Sequence, residues 1–243
     1  ASRRRVARRN VKMSKKVAIV CTSASEFQGH PTGAWLEEIA TPYYAFKAAG
    51  LDVTIVSIAG GKVPIDAAST QGDFNTPDCV KFTSDADAVK ALESSVALAA
   101  YDFDACAGVY LAGGHGTCVD FYNAPDAPLQ RCLNKVYADG KPLAADCHGP
   151  IALLNCVKPD GSALVADKAV TGFSDAEEAA VGFTEKCETH SVLLEKTMRA
   201  LGGKYAAAAD WHPNVCVDGN LITGQNPASS AKCAEAFVEA LAA

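Results

Sequence analysis

Cys147 and His148 stand together in the run Asp146-Cys147-His148-Gly149-Pro150, directly after the apolar stretch Pro142-Leu143-Ala144-Ala145. A nucleophile on a sharp strand-to-helix turn is lifted out of a sheet and faces ligand. The N–H groups and positive potential of the following helix favour a thiolate there, and His148 is an adjacent base. A second stretch, Ala112-Gly113-Gly114-His115-Gly116-Thr117, carries three glycines in four positions. Its backbone N–H groups are free to approach an anion, as an oxyanion hole requires. No Gly-Lys-Ser/Thr follows, so it is not a nucleotide phosphate loop, and Val119 stands where a dinucleotide fingerprint needs its third glycine.

Two groups of acids complete the set. Thr32-Gly33-Ala34-Trp35-Leu36-Glu37-Glu38 opens a helical pattern. Glu38, three residues past Trp35 and one before Ile39, falls toward the apolar face, where a carboxyl near Cys147 can shuttle protons. Asp175, Glu177 and Glu178 follow a short apolar run, and one of them can orient His148. His30, His190 and His212 lie in polar stretches and read as surface residues.

The elements that must hold these residues alternate between strand and helix. Apolar runs at 16–21, 51–56, 107–112, 142–146 and 169–171 read as strands. Helical patterns cover 35–49, 84–98, 127–138, 150–157, 192–201 and 228–242, and Gly50, Gly140 and Gly202 stand at helix ends. Val215-Cys216-Val217 and Leu221-Ile222-Thr223 flank Asp218-Gly219 and predict a hairpin. Alternation of this kind predicts an α/β fold, a mostly parallel sheet covered by helices on both faces. Ligands then bind beyond the carboxyl ends of the strands, in the loops after Val20, Leu111 and Asp146.

Composition bounds the function. The 243 residues suffice for one sizeable core, and no stretch approaches the roughly 20 apolar residues of a membrane span. Residues 1–16 hold eight basic side chains and no acid; the remainder holds 14 basic against 28 acidic. A body so acidic argues against a nucleic-acid partner. The basic head, residues 1–14, reads as an extension ahead of one domain at 15–243. It has the composition of an organelle transit segment, plastid or other, the alternative being a cytoplasmic chain with a basic arm. Ten scattered cysteines without a Cys-x-x-Cys pair point away from a structural zinc and toward a reducing compartment.

As an ordered set, Thr32-Gly33 with Glu38, the stretches 112–116 and 145–150, Thr171-Gly172-Phe173-Ser174-Asp175 with Glu178, and Thr223-Gly224-Gln225-Asn226-Pro227-Ala228-Ser229 resemble the ThiJ/PfpI superfamily. The closest likeness is to its stress-protein branch, the glutathione-independent glyoxalases (glyoxalase III). The resemblance implies a flavodoxin-like three-layer α/β/α sandwich and a homodimer. It implies a glyoxalase III-type lyase that acts on a small reactive dicarbonyl, methylglyoxal or glyoxal, with no metal or organic cofactor. It places the nucleophile at Cys147, the base at His148 and the proton-moving acid at Glu38. Glu178 is then the residue that orients His148, with Asp175 the alternative, and Gly114 and His115 are pocket residues. Two further readings use the same residues: a redox-responsive chaperone built on an exposed, low-pKa Cys147, and repair of glycated proteins. A peptidase fits less well, because no extended groove is evident.

Overall fold

The structure, a computed structural model, describes residues 15–242, so the basic head lies outside it. Seven strands form one sheet: β1 (Lys16–Cys21), β2 (Asp52–Ser57), β3 (Val96–Ala97), β4 (Gly108–Leu111), β5 (Leu143–Asp146), β6 (Val215–Asp218) and β7 (Leu221–Gly224). Their order is β6-β7-β5-β4-β1-β2-β3. All neighbours run parallel except β6 and β7, the predicted hairpin. Gly219 takes φ +66° in its turn, where a side chain is disfavoured.

Val17 to Cys21 are buried without interruption, as a central parallel strand covered on both faces must be. Alternate residues serve opposite layers. Val17 and Ile19 pack with Ile39 and Phe46 of α1 (Glu37–Ala48) and with Phe237 of the closing helix Ser230–Ala242. Ala18 and Val20 pack with Leu129, Leu133 and Val136 of helix Pro128–Ala138 on the other side. The fold is therefore the three-layer, mostly parallel α/β sandwich. Because β5, β4 and β1 are neighbours, the loops that leave their carboxyl ends stand side by side, and the first turn of α1 sits against them.

Several predicted elements differ. The helix predicted over 84–98 is shorter, Ala86–Glu93: the Asp85 side chain accepts N–H bonds from Asp87 and Ala88 at its start, and Val96–Ala97 joins the sheet as β3. A further helix, Pro77–Ser84, precedes it. Residues 150–157 form only a 3₁₀ segment, Gly149–Leu153. The strand at Ala169–Val170 pairs with Lys204–Tyr205 outside the main sheet. Helices Asp175–Val181 and Thr184–His190 were not anticipated, although Ser174 and Glu177 form a reciprocal cap at the first of them. No helix among the described residues is long and apolar enough to cross a membrane.

Candidate active site

Cys147 occupies the turn between β5 and the 3₁₀ segment with φ +56°, a left-handed backbone that is uncommon for a residue with a side chain. Two hydrogen bonds enforce it. The Cys147 N–H donates to the Gly224 carbonyl at 3.1 Å, and the Cys147 carbonyl accepts from the Phe173 N–H at 2.9 Å. The predicted elbow is present, and the thiol is 4% exposed at the floor of a cavity.

His148 and Glu38 flank the sulfur, and Glu178 stands behind His148. Cys147 Sγ is 3.3 Å from His148 Nδ1. The other ring nitrogen of His148, Nε2, is 2.7 Å from Glu178 Oε2. Glu178 is held below the usual carboxylate range: its burial acts upward, but the two histidines beside it outweigh that. An ionised Glu178 accepts, so the His148 proton sits on Nε2 and the Nδ1 lone pair faces the sulfur. Burial, then the neighbouring His115, lowers the His148 pKa and keeps the ring neutral. Asp175 does not reach His148; its backbone N–H donates to Glu195.

Glu38 is fully buried in the first turn of α1. Its Oε2 accepts the Gly113 N–H at 2.7 Å, while Oε1 has no hydrogen-bond partner. The Cys147 thiol lies alongside, close enough for each group to perturb the other's ionisation. Burial and then Asp146 push the Glu38 pKa well above the carboxylate range, so this carboxyl carries a proton near neutrality. Only glycine fits at 113, because a Cβ there would stand 2.7 Å from both Glu38 Oε2 and the His148 backbone nitrogen. Gly114 takes φ +95°. Among the described residues, neither its N–H nor that of His148 is donated to a protein oxygen.

The expected resting thiolate is not what the structure favours. Burial raises the Cys147 pKa, and Glu38 and Asp146 beside it add to the rise, which outweighs the helix-terminus effect. The sulfur rests as a thiol and must lose its proton as it attacks.

His115 meets the same carboxylate from the other side, its Nε2 2.8 Å from Glu178 Oε1. His115, His148 and Glu178 are the described residues whose ligand atoms lie close enough together, within 4.8 Å, to hold a metal ion. Both imidazoles already bond the carboxylate in this geometry.

Sequence reasoning missed the parts that Asp146 and Glu177 play in the site. Asp146, under the elbow, accepts hydrogen bonds from Ser230 at 2.6 Å and Tyr110 at 3.2 Å, and burial raises its pKa to about 7. Glu177 is a buried hub that accepts from Ser174, Gln225, Asn226 and the Trp211 N–H. His30 is exposed, as its polar stretch predicts, and also lines the cavity with its ring 4.8 Å from Phe183. Glu177 was a candidate orienter of His148 and not a hub; nothing in the sequence marked Asp146 as buried.

The raised pKa of Asp146 has a consequence for stability. The folded chain holds this proton up to about pH 7, whereas the unfolded chain releases it near 4. Stability from this group is therefore full at low pH and is lost as pH rises through that window. In the Asp146→Asn variant the loss disappears. Its Tm relative to wild type is expected to climb steadily between pH 4 and pH 8 in calorimetry, and a difference that stays flat contradicts the assignment.

Comparison with known proteins gives one consistent neighbourhood. The model of the DJ-1/PfpI family matches residues 32–240. The glutathione-independent glyoxalase HSP31 of Saccharomyces cerevisiae is 32% identical over 235 residues, which covers 93% of this chain and 98% of the yeast protein. The crystal structure of glyoxalase III from Candida albicans superposes with a TM-score of 0.85 at 27% identity, covering 93% and 97% of the two chains. The Rapid Encystment Protein 24 kDa of Francisella tularensis superposes with a TM-score of 0.86 at 34% identity, covering 93% and 99%.

Proposed function

The chain belongs to the DJ-1/PfpI family, and on that footing we propose that it is a glutathione-independent glyoxalase that converts methylglyoxal to lactate and glyoxal to glycolate. One observation carries the reading. The Cys147 sulfur lies 3.3 Å from Nδ1 of His148, whose other ring nitrogen is bonded to Glu178, and it lines an open cavity alongside the buried Glu38 carboxyl.

The chemistry follows from that arrangement. Nδ1 of His148 takes the thiol proton as the sulfur attacks the aldehyde carbon, C1. The carbonyl electrons move to oxygen, the N–H groups of Gly114 and His148 face the alkoxide, and His148 returns the proton to give a hemithioacetal. His148 then removes the C1 hydrogen as a proton while Glu38 donates its own proton to the ketone oxygen at C2. The enediol so formed is protonated at C2 by His148, and the C1 hydroxyl proton returns to Glu38. The product is a thioester of a 2-hydroxy acid. Water activated by His148 cleaves it, releases the acid and restores the thiol. The net change is addition of one water to the dicarbonyl, so glutathione has no part. In class the enzyme is a lyase, a D-lactate dehydratase.

Lactate formation from methylglyoxal by the purified chain in glutathione-free buffer tests the reading. The acid limb of kcat/KM reports protonation of His148 and is expected below pH 6.5, since burial lowers that pKa. An acid limb at or above 6.5 sinks the role given to His148. The rival redox-sensor reading needs an exposed, ionised thiol, and Cys147 is neither. Homodimerisation, and an organelle as the compartment of a chain with so basic a head, complete the proposal. Sedimentation and the location of a fluorescent fusion test them.

A further inference from the structure

Glu177 is fully buried, yet it takes no part in the ion pairs of the described residues. A carboxyl group so placed is costly unless hydrogen bonds satisfy it. Its Oε2 accepts from the Ser174 N–H at 3.0 Å, the Ser174 hydroxyl at 2.9 Å and the Gln225 side-chain amide at 3.1 Å. Its Oε1 accepts from the Asn226 side-chain amide at 2.7 Å and the Trp211 N–H at 2.8 Å. Every one of these partners donates, so the position calls for a group that only accepts. A helix cap needs Ser174 alone. The bonds to Trp211, Gln225 and Asn226 serve no cap; they join separate segments.

Those segments are the two arms that shape the nucleophile turn. Gln225 and Asn226 directly follow Gly224, whose carbonyl accepts the Cys147 N–H at 3.1 Å. Ser174 directly follows Phe173, whose N–H donates to the Cys147 carbonyl at 2.9 Å. The contacts close into a ring. It runs from Cys147 through Gly224 to Asn226, across Glu177 to Ser174, and back through Phe173 to Cys147. Inside this ring Cys147 holds φ +56°, an angle that persists only where the surroundings impose it. Neither arm is a long element at this point. Gly224 is the last residue of β7, and Ser174 is the cap of helix Asp175–Val181. Glu177 also stands one residue before Glu178 in the first turn of that helix. Its anchorage therefore fixes where Glu178 meets His148 Nε2 at 2.7 Å.

We propose that Glu177 is a positioning residue for the reaction at Cys147: it ties together the two arms that impose the left-handed turn and carries Glu178 to His148. It does not line the cavity and acts through Cys147 and Glu178. The kinetic part of the proposal rests on the glyoxalase reading; the conformational part does not.

Glu177→Gln keeps the shape and replaces one acceptor oxygen with an NH₂ group. Whichever way the amide turns, that NH₂ faces donors and weakens the ring. With methylglyoxal as substrate, well below the melting temperature of the variant, kcat is expected to fall at least about tenfold. KM is expected to change less than about threefold. The backbone ¹³C shifts of Cys147, which follow φ, and the ring ¹⁵N shifts of His148 are expected to leave their wild-type values. A role confined to stability lowers Tm and leaves the folded-state shifts and kcat where they were. A smaller fall in kcat, or shifts that do not move, overturns the proposal. Should Glu177→Gln fail to fold, Asn226→Ala removes one bond of the Gly224 arm and is read by the same shifts, with a fall in kcat of at least about fivefold expected and a smaller one overturning the proposal. If the wild type turns over no dicarbonyl, the glyoxalase reading fails, and the shifts alone then decide the positioning role.

Discussion

The Cys147→Ala variant is expected to lose at least about 10³-fold in kcat/KM for methylglyoxal, the larger part of it in kcat. The substitution removes only the sulfur. The cavity, the two backbone N–H groups and the Glu38–His148 pair remain, so whatever activity persists measures positioning without covalent capture. Cys147→Ser is expected to be nearly as inactive. A hydroxyl is a far weaker acid than a thiol and its oxygen a poorer nucleophile toward the aldehyde, so covalent capture is slow. Lactate release under saturating substrate checks both variants, and a shift in intact protein mass on brief exposure to methylglyoxal checks adduct formation at this residue. Activity above a tenth of wild type in Cys147→Ala removes covalent catalysis from the scheme.

Glu178→Gln is expected to cost about 10²–10⁴-fold, almost wholly in kcat, although it deletes no side-chain volume. The wild-type carboxylate accepts from Nε2 of His148 and so leaves Nδ1 bare toward the sulfur. A glutamine amide can present its NH₂ to Nε2 instead. The ring proton then moves to Nδ1, and the base that should receive the thiol proton already carries one. Tautomer-sensitive ¹⁵N shifts of His148 read the change directly. A variant with normal shifts and full activity shows that Glu178 only packs. Glu178→Ala, which offers no donor, is expected to be less impaired in tautomer than in ring mobility. The pair of variants therefore separates orientation from proton placement.

Much of this site was legible in the sequence, for a physical reason. An apolar run that stops at a Cys-His-Gly triplet, and another that stops at a glycine cluster, announce strand ends of a parallel sheet, and ligands bind at such ends. Glu38 was legible because its place in the helical period puts it on the buried face. What failed were features set by partners distant in sequence. The 84–98 stretch has one continuous helical pattern, yet its helix ends at Glu93 because Val96–Ala97 pairs with Val56 and Ser57 in the sheet. Ala169–Val170 has the composition of a sheet strand, but Lys204–Tyr205 claims it. The protonation of Cys147 could not be read from a helix terminus alone, because the carboxyls that oppose ionisation are 109 and one residue away in the chain. The bond from the Trp211 N–H to Glu177 gave no signal, since it joins residues 34 apart in the chain.

The peptide of Cys147 is bonded on one side to Gly224 and on the other to Phe173. Three stretches spread over almost eighty residues must therefore meet before the thiol acquires its backbone angle. During synthesis the cysteine leaves the ribosome long before residue 224 does, so the nascent chain does not yet hold the left-handed turn. The arrangement of sulfur, imidazole and backbone N–H groups is therefore complete only once the segment that carries Gly224 has joined the sheet.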